Sequence, residues 1–210
     1  MSSSAETPSS AHESASLQSR EAVLSLFREA DALLEGHFLL SSGRHSPVYL
    51  QCARVLQSPA RAARLADAFT ARLREHNVQV DLVVSPAMGG IIIGHEVARS
   101  LGVDGLFMER KDGRFTLRRG FSIPRGSRIL MMEDVVTTGL SSRECIAAIE
   151  AAGGTVVAAG CLIDRSGGTA DVGLPLTALA RIDAPSFAAD EVPGWLAEIP
   201  AVKPGSRPGH

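Results

Sequence analysis

The sequence predicts an α/β fold, in which a mostly parallel central sheet is flanked by helices. Between residues 58 and 180, short apolar runs alternate with longer segments whose apolar side chains recur at helical spacing. Several apolar runs lead directly into glycine, hydroxyl or charged residues. The carboxyl ends of parallel strands meet at one edge of such a sheet, so these side chains are expected to converge there.

The predicted elements follow this alternation. Helices are expected over four segments: 20–34, from Ser58-Pro59 to Asn77, 91–101, and the stretch after Gly139. Strands are expected at 80–85, 103–108, 128–132, 155–163 and 176–180. Between residues 36 and 51, two short apolar pieces flank a polar turn, a pattern that fits either a hairpin or an irregular loop.

The 210 residues suit one domain, which we place at 20–183. Residues 1–19 form a Ser-rich tail that is too polar to pack and is expected to be disordered. Residues 184–210 form a Pro-rich C-terminal tail, and Trp195 is expected to pack it back onto the domain.

The composition limits the partners and the compartment. A net charge of -2 gives no broad basic surface for nucleic acid. Cys52, Cys145 and Cys161 fit neither a disulfide framework nor a zinc site, which favours a reducing compartment. No apolar stretch approaches the ~20 residues that a membrane span needs, and no signal core or transit peptide is evident. A cytoplasmic protein with no membrane partner is therefore expected.

The most informative stretch is Ile129–Ser141. It combines an apolar strand, the acids Glu133-Asp134, two valines, the hydroxyl residues Thr137-Thr138, a glycine and the start of a helix. A helix N-terminus with hydroxyl donors suits a phosphate, and carboxylates accept hydrogen bonds from sugar hydroxyls or hold Mg²⁺. The stretch therefore suits a sugar phosphate, although a capped helix after an exposed acidic pair gives the same pattern.

This order of residues resembles the phosphoribosyl-pyrophosphate (PRPP) motif of type I phosphoribosyltransferases. The resemblance implies a type I phosphoribosyltransferase-like fold. It also implies that one continuous group of residues binds PRPP: Glu133, Asp134, Val135, Val136, Thr137, Thr138, Gly139, Leu140 and Ser141.

A second stretch, Phe38–Tyr49, resembles the N-terminal signature of orotate phosphoribosyltransferases, where it belongs to a small hood over the base, here 36–51. Arg165 follows the strand 155–163, and on its own it would suit a surface ion pair with Asp164. The resemblance implies instead that Arg165 faces the orotate carboxylate, and that Thr137 and Tyr49 also contact orotate.

The glycine turn Gly89-Gly90 precedes a helix and fits either an anion-binding loop or tight strand–helix packing. A nucleoside-triphosphate P-loop is excluded, because His95-Glu96 stand where Lys and Ser or Thr would be required. In the family that the chain resembles, this turn is the pyrophosphate loop, so Gly89 is assigned to PRPP.

The flap, residues 110–119, carries five cations: Arg110, Lys111, Arg114, Arg118 and Arg119. Such a run fits a solvated hairpin or a mobile flap that closes on pyrophosphate. Orotate phosphoribosyltransferases begin a flexible catalytic loop with an Arg-Lys pair, which Arg110 and Lys111 resemble. That loop characteristically reaches into the neighbouring subunit, so the resemblance also implies a homodimer with a shared flap.

The resemblance covers most of residues 20–183 and implies the reaction of orotate with PRPP to give orotidine 5′-phosphate and pyrophosphate. The implied catalytic residues are Arg110, Lys111, Arg114 and Asp134. The implied cofactor is Mg²⁺, held mainly by PRPP with help from Glu133 and Asp134, and no direct protein ligand is assigned.

Three departures from the family pattern leave the cation for the leaving group open. Ser41 and Gly89 stand where many members carry Lys, and the flap is short, with Arg114 as the nearest basic candidate.

Two alternatives share the PRPP motif. One is a purine phosphoribosyltransferase, which should lack Phe38–Tyr49 and Arg165. The other is a non-catalytic PRPP-sensing regulator, which would need a basic face or an added nucleic-acid-binding unit.

Overall fold

The computed structural model describes residue 17 and residues 19–40 and 42–204. Ser41 lies outside the described residues. The predicted N-terminal tail also lies outside them, apart from Leu17 and Ser19. The helices are α1 (Arg20–Glu29), α2 (Cys52–Leu56), α3 (Pro59–Glu75), α4 (Gly90–Leu101), α5 (Leu140–Ala151) and α6 (Gly194–Ala197). The strands are β1 (Leu33–Leu39), β2 (His45–Leu50), β3 (Leu82–Pro86), β4 (Asp104–Lys111), β5 (Arg114–Leu117), β6 (Arg128–Val136), β7 (Thr155–Asp164) and β8 (Leu176–Arg181).

The central sheet has six strands in the order β5-β4-β3-β6-β7-β8. All neighbours run parallel except β5, which returns antiparallel to β4. The predicted mostly parallel α/β sheet is thus confirmed. Because β3, β6 and β7 run in the same direction, the segments after Pro86, Val136 and Asp164 leave the sheet at one edge.

Each face of the sheet has its own apolar core. On one face, α1, α2, α3 and α4 pack around fully buried side chains such as Phe27, Phe69 and Leu130. On the other face, α5 packs Cys145 and Ile149 against Met131. Burial of this extent on both faces stabilises the sheet and explains why its strands read as continuous apolar runs.

Residues 33–50 form a separate two-stranded unit, the hood, in which β1 and β2 pair antiparallel. The chain that follows β8 extends this unit on both sides. Val202 forms a bridge with Phe38, and Phe187 forms a bridge with His45. Because Leu196 of α6 is fully buried, the C-terminal segment is anchored by an apolar contact as well as by backbone hydrogen bonds.

Two local predictions were wrong. The first helix was expected to reach Leu34, but α1 ends at Glu29 because Asp31 takes a positive φ of 49° and the chain then enters β1. Trp195 was expected to pack the C-terminal segment onto the domain, but it is 56% exposed and its neighbour Leu196 is the buried anchor.

Among the described residues, no helix combines the length and apolar character that crossing a membrane requires.

Candidate active site

The two acids at the end of β6 point to opposite faces of the sheet, because they are consecutive residues of a strand. Glu133 lies on the α5 side and is 7% exposed. Burial, together with the charge of Asp134, raises its pKa to about 7, although hydrogen bonds from Ser142 and Ser141 and the charge of Arg110 oppose the shift. Its Oε1 has no hydrogen-bond partner within the described part of the chain. Glu133 therefore retains a free acceptor in a buried setting.

Asp134 lies on the other face, between the hood and the glycine turn. The Cys52 thiol, at the start of α2, donates a hydrogen bond to its carboxylate. A Cβ atom added to Gly89 would stand 2.6 Å from Asp134 Oδ1. Burial raises the pKa of Asp134, while backbone N–H groups and the thiol work against that shift. Gly89 thus allows the turn to approach the carboxylate more closely than any side chain would permit.

The hydroxyl turn, residues 137–141, joins β6 to α5. Gly139 has a φ of 80° and immediately precedes the first helical residue, Leu140. Thr137, Thr138 and Ser141 are exposed, and Thr138 Oγ1 accepts a hydrogen bond from the Leu140 N–H. The free N–H groups of the first turn of α5 and these hydroxyls form a site suited to a dianionic phosphate.

A cavity of about 680 Å³, the base cavity, opens beside the hydroxyl turn. Its lining combines the hood, the hydroxyl turn, the end of β7 and the segment after β8: Leu40, Ser42, Tyr49, Leu50, Gln51, Thr137, Thr138, Arg165, Ala184 and Ser186. Burial lowers the pKa of the Arg165 guanidinium, and its buried Nε has no hydrogen-bond partner among the described residues. A half-buried cation that has no counter-ion among the described residues is suited to an anionic ligand.

The flap is an antiparallel hairpin of β4 and β5. Its tip consists of Asp112 and Gly113, with φ values of 51° and 80°, as a tight hairpin turn requires. Arg110 donates to Glu144 of α5 at 2.5 Å and stacks 4.1 Å from the centroid of the Phe115 ring. Lys111 is exposed beside the tip, and none of the ion pairs found among the described residues includes it. The geometry thus has the form of the hairpin alternative, in which Lys111 is exposed while Arg110 is paired with Glu144.

The remaining cations of the hairpin differ in how they are paired. Arg119 makes a two-pronged contact with Glu109, whose pKa that contact lowers, and Arg118 approaches the same carboxylate at 3.8 Å. Arg114 is exposed opposite Lys111. Arg118 and Arg119 are therefore paired with Glu109 within the hairpin. Lys111 and Arg114, in contrast, are exposed next to its tip.

Within the described part of the chain, the side chains alone do not form a metal centre. Across the described residues, no three His, Cys, Asp and Glu side chains are arranged to hold a metal ion. Glu133 and Asp134 supply oxygen donors of the kind Mg²⁺ prefers, and Glu133 Oε1 is unpartnered. Because the two carboxylates face opposite sides of the strand, they cannot chelate one ion together. These residues fit Mg²⁺ only if a ligand supplies most of the coordination.

Comparisons with known proteins agree with this geometry. Residues 51–190 match the phosphoribosyl transferase domain family. The orotate phosphoribosyltransferase of Rhizorhabdus wittichii is 60% identical over 188 residues, covering 89% of this chain and 96% of the relative. That of Erythrobacter litoralis is 62% identical over 188 residues, covering 89% of this chain and 97% of the relative. The chain belongs to the orotate phosphoribosyltransferase family.

Solved structures show the same fold. The orotate phosphoribosyltransferase of Aeropyrum pernix is 26% identical, with a TM-score of 0.63 over 76% of this chain and 93% of that one. The enzyme of Mycobacterium tuberculosis, in complex with inorganic phosphate, is 22% identical, with a TM-score of 0.62 over 78% of this chain and 95% of that one. The predicted type I phosphoribosyltransferase-like fold is therefore confirmed for this orotate phosphoribosyltransferase family member.

The structure brings most predicted site residues to one edge of the sheet. The acidic pair, hydroxyl turn, Gly89, Arg165 and Tyr49 all lie there. The nonpolar residues assigned to PRPP differ in burial: Val136 is buried, Val135 is half-buried, and Leu140 is exposed at the start of α5. The Val136 carbonyl accepts a hydrogen bond from the Arg165 N–H. The specific role of each residue stays a prediction.

Sequence reasoning missed two neighbours of the acidic pair. Ser142 follows Ser141 directly, so the run of hydroxyl residues was a usable signal for it. Cys52 lies far from Asp134 in sequence, and nothing in its surroundings predicts the contact. Only the fold, which places the start of α2 beneath the end of β6, brings that thiol to the carboxylate.

Proposed function

We propose that the chain transfers the 5-phosphoribosyl group from PRPP to orotate, giving orotidine 5′-phosphate and pyrophosphate in UMP synthesis. The observation that carries this proposal is the position of Arg165. Its guanidinium borders the base cavity with a buried, unpartnered Nε, and Thr137 and Thr138 of the phosphate-binding turn border the same cavity. A carboxylated base and a sugar phosphate thus have adjoining sites.

The substrate contacts follow from the donors and acceptors available. The 5′-phosphate of PRPP binds the hydroxyl turn through Thr137, Thr138, Ser141 and the free N–H groups at the start of α5. Glu133 and Asp134 accept hydrogen bonds from the ribose hydroxyls. Arg165 pairs with the orotate carboxylate, and Tyr49 and Thr137 complete the wall around the ring.

Charge development explains the catalytic roles. As the bond between the ribose C1 and the pyrophosphate oxygen breaks, the ring gains positive charge and pyrophosphate takes the electron pair. The orotate ring nitrogen forms the new bond to C1, and its proton passes to the departing pyrophosphate. Asp134 holds the ribose and offsets the developing positive charge, because it is a fixed, partly buried carboxylate beside the sugar.

The flap and the glycine turn serve the leaving group. Arg110, Lys111 and Arg114 supply positive charge to pyrophosphate, and the backbone at Gly89 approaches the same group. When the flap closes, it excludes water that would otherwise hydrolyse PRPP. Arg110 must then exchange its contact with Glu144 for one with pyrophosphate.

Mg²⁺ is the proposed cofactor, and it neutralises pyrophosphate charge when it is bound. The oxygen donors of Glu133 and Asp134 suit the ion, and PRPP would supply most of the coordination.

We also propose a cytoplasmic location, since all three cysteines are buried and free.

A homodimer with a shared flap is proposed as well. The length of the hairpin and the exposure of Lys111 and Arg114 support it, because both cations are accessible to a second subunit. Arg110 is bound to Glu144 of its own chain, so Lys111 and Arg114 are the better candidates for contacts across subunits.

The two alternatives are less well supported. A purine phosphoribosyltransferase has no need for an unpartnered arginine in its base cavity, because purine substrates carry no carboxylate. A PRPP-sensing regulator would need a nucleic-acid-binding surface, and the formal net charge of -2 gives no sign of one. The relatives at about 60% identity are also named for the orotate activity.

The proposal is tested with purified protein, PRPP and Mg²⁺, incubated with orotate, with hypoxanthine or without a base. Ultraviolet absorbance should fall with time only in the orotate reaction. Arg165→Met should abolish orotate consumption at substrate concentrations that saturate the wild type. Consumption of hypoxanthine in place of orotate would instead support the purine alternative.

A further inference from the structure

The end of β7 and the loop that follows it, residues 164–172, are held by a small hydrogen-bond network. Asp164 is 1% exposed, and its Oδ1 accepts hydrogen bonds from the Ser166 N–H at 2.9 Å and the Ser166 hydroxyl at 2.6 Å. The Ser166 oxygen in turn accepts from the N–H groups of Gly168 at 3.2 Å and Ala170 at 2.8 Å. One hydroxyl thus links three positions of this segment, at Asp164, Gly168 and Ala170.

Arg165 lies between the two fixed points of this network. Its own N–H donates to the Val136 carbonyl at the end of β6, and the next residue, Ser166, is bound to Asp164. The Arg165 Nε itself is buried without a partner in the described part of the chain. The backbone on either side of Arg165 is therefore held in place, and none of the ion pairs found among the described residues includes its guanidinium.

We propose that Asp164 and Ser166 are positioning residues that aim Arg165 at the carboxylate of the base. The inference rests on the proposed function, since it concerns the recognition of an anionic pyrimidine. Neither residue touches the substrate. They hold the loop so that the Arg165 guanidinium is already oriented in the base cavity before the substrate binds. The carboxylate then binds without the entropic cost of ordering the arginine.

The chemistry favours the hydroxyl of Ser166 as the critical group. Without it, two backbone N–H groups and one Asp164 oxygen would lose a partner, and the segment that orients Arg165 would be held less firmly. Thr at this position retains the hydroxyl. Arg181 approaches the other Asp164 oxygen at 3.6 Å but is itself 59% exposed in its side chain, so it contributes little to the arrangement.

The test compares the dissociation constants of orotidine 5′-phosphate and UMP, measured by titration calorimetry. These two ligands differ only in the base carboxylate. The wild type should prefer orotidine 5′-phosphate by about 10- to 100-fold, the range expected for a charged hydrogen-bonded pair. In Ser166→Ala the preference should fall below about threefold, while UMP binding stays near the wild-type value. Ser166→Thr should restore the preference.

Two further arms complete the experiment. Ser127→Ala is the matched control, because its hydroxyl donates to the Pro124 carbonyl in the loop before β6, at the opposite edge of the sheet, and it should leave the preference unchanged. Thr169→Ala removes a donor to the Ser166 carbonyl and should give a partial loss, which serves as a second test if Ser166→Ala does not fold.

If folded Ser166→Ala kept the full wild-type preference for orotidine 5′-phosphate over UMP, the inference would be overturned and the proposed function would remain intact. If Ser166→Ala does not fold, the same result in Thr169→Ala would overturn it. A wild type that binds both nucleotides equally would overturn the proposed function together with the inference.

Discussion

At the residue scale, the site depends on close approaches that only particular side chains permit. Gly89 is the clearest case, because the Asp134 carboxylate occupies the space that a Cβ atom would need. Many family members have Lys at this position, so the glycine left open which cation serves the leaving group. The structure shows what the glycine provides: the backbone of the turn can approach the Asp134 carboxylate closely.

Gly89→Ala should therefore lower kcat/KM for PRPP by about 10- to 100-fold, because displacement of a reacting group by about 1 Å has an effect of that size. The thermal midpoint should change little, since the displaced atoms are the end of a side chain at the surface of the site. Steady-state kinetics and thermal unfolding measure the two quantities.

Gly194→Ala is the control for this substitution, because Gly194 has open space around its added Cβ and lies in α6. Wild-type kinetics in Gly89→Ala would mean that Asp134 does not act where the structure places it.

Glu133 gives a prediction about pH. Its pKa is about 7 in the folded protein, against an ordinary value of 4.5, so the folded protein binds a proton there that the unfolded chain has released. Stability from this group is present below pH 4.5 and is lost as the pH rises through about 7. The loss should amount to about 3 kcal/mol in the free energy of unfolding between pH 4.5 and pH 8.

Urea denaturation of wild type and Glu133→Gln, at pH 5 and pH 8, measures this contribution. The wild type should lose stability relative to the variant as the pH rises. Glu150→Gln, an exposed position on α5, should show no such relative change. An equal pH dependence in wild type and Glu133→Gln would contradict the raised pKa.

At the element scale, the order of helices and strands in the sheet follows from the sequence, whereas their ends depend on local conformation. The capped start of α3 was predicted because Ser58 and Pro59 carry a direct local signal. The end of α1 was missed because Asp31 leaves the helical region although apolar residues continue at helical spacing into β1. The hairpin was left open because five cations fit both a rigid hairpin and a mobile flap.

Lys111→Ala should reduce kcat by about 100-fold, the effect of removing one donor to a developing anion. Binding of orotidine 5′-phosphate should stay within about twofold of the wild type, since the hydroxyl turn is untouched. Arg118→Ala, in the same hairpin but directed toward Glu109, is the control and should retain most of the turnover. Unchanged turnover in Lys111→Ala would remove the flap from the mechanism.

At the scale of the whole molecule, contacts between distant segments complete the site, and these contacts were the hardest to predict. The segment after β8 pairs with both strands of the hood and contributes Ala184 and Ser186 to the base cavity. Its proline content predicted a segment without regular structure, which Trp195 was expected to pack onto the domain. The strand–turn sequence around Glu133 could be recognised locally, whereas the contacts of Cys52 and Ser186 exist only because the chain folds back.

Leu196→Ala should reduce the free energy of unfolding by about 2–4 kcal/mol, because it removes a fully buried side chain that anchors the C-terminal segment. Trp195→Ala, the exposed neighbour, should cost less than about 1 kcal/mol. Urea denaturation of the two variants distinguishes these outcomes. A larger loss from Trp195→Ala would mean that the aromatic ring is the anchor, as the sequence first indicated.

A shared flap predicts complementation between two inactive variants. Asp134→Asn retains the flap cations, and Lys111→Ala retains the acidic pair, so a mixed dimer has one intact site if the flap crosses to the partner. Randomly reassembled dimers should regain about a quarter of the wild-type activity, as expected for one good site in each mixed dimer. No recovery in verified mixed dimers would place the flap in its own subunit.

The central claim is that PRPP and a carboxylated pyrimidine react at this edge of the sheet. Mass spectrometry of a reaction of the purified protein with PRPP, Mg²⁺ and equal amounts of orotate, adenine and hypoxanthine tests it most directly. The account predicts that orotidine 5′-phosphate is the nucleotide formed, in amounts equal to the pyrophosphate released. Formation of AMP or IMP instead, or pyrophosphate release without orotidine 5′-phosphate, would contradict it.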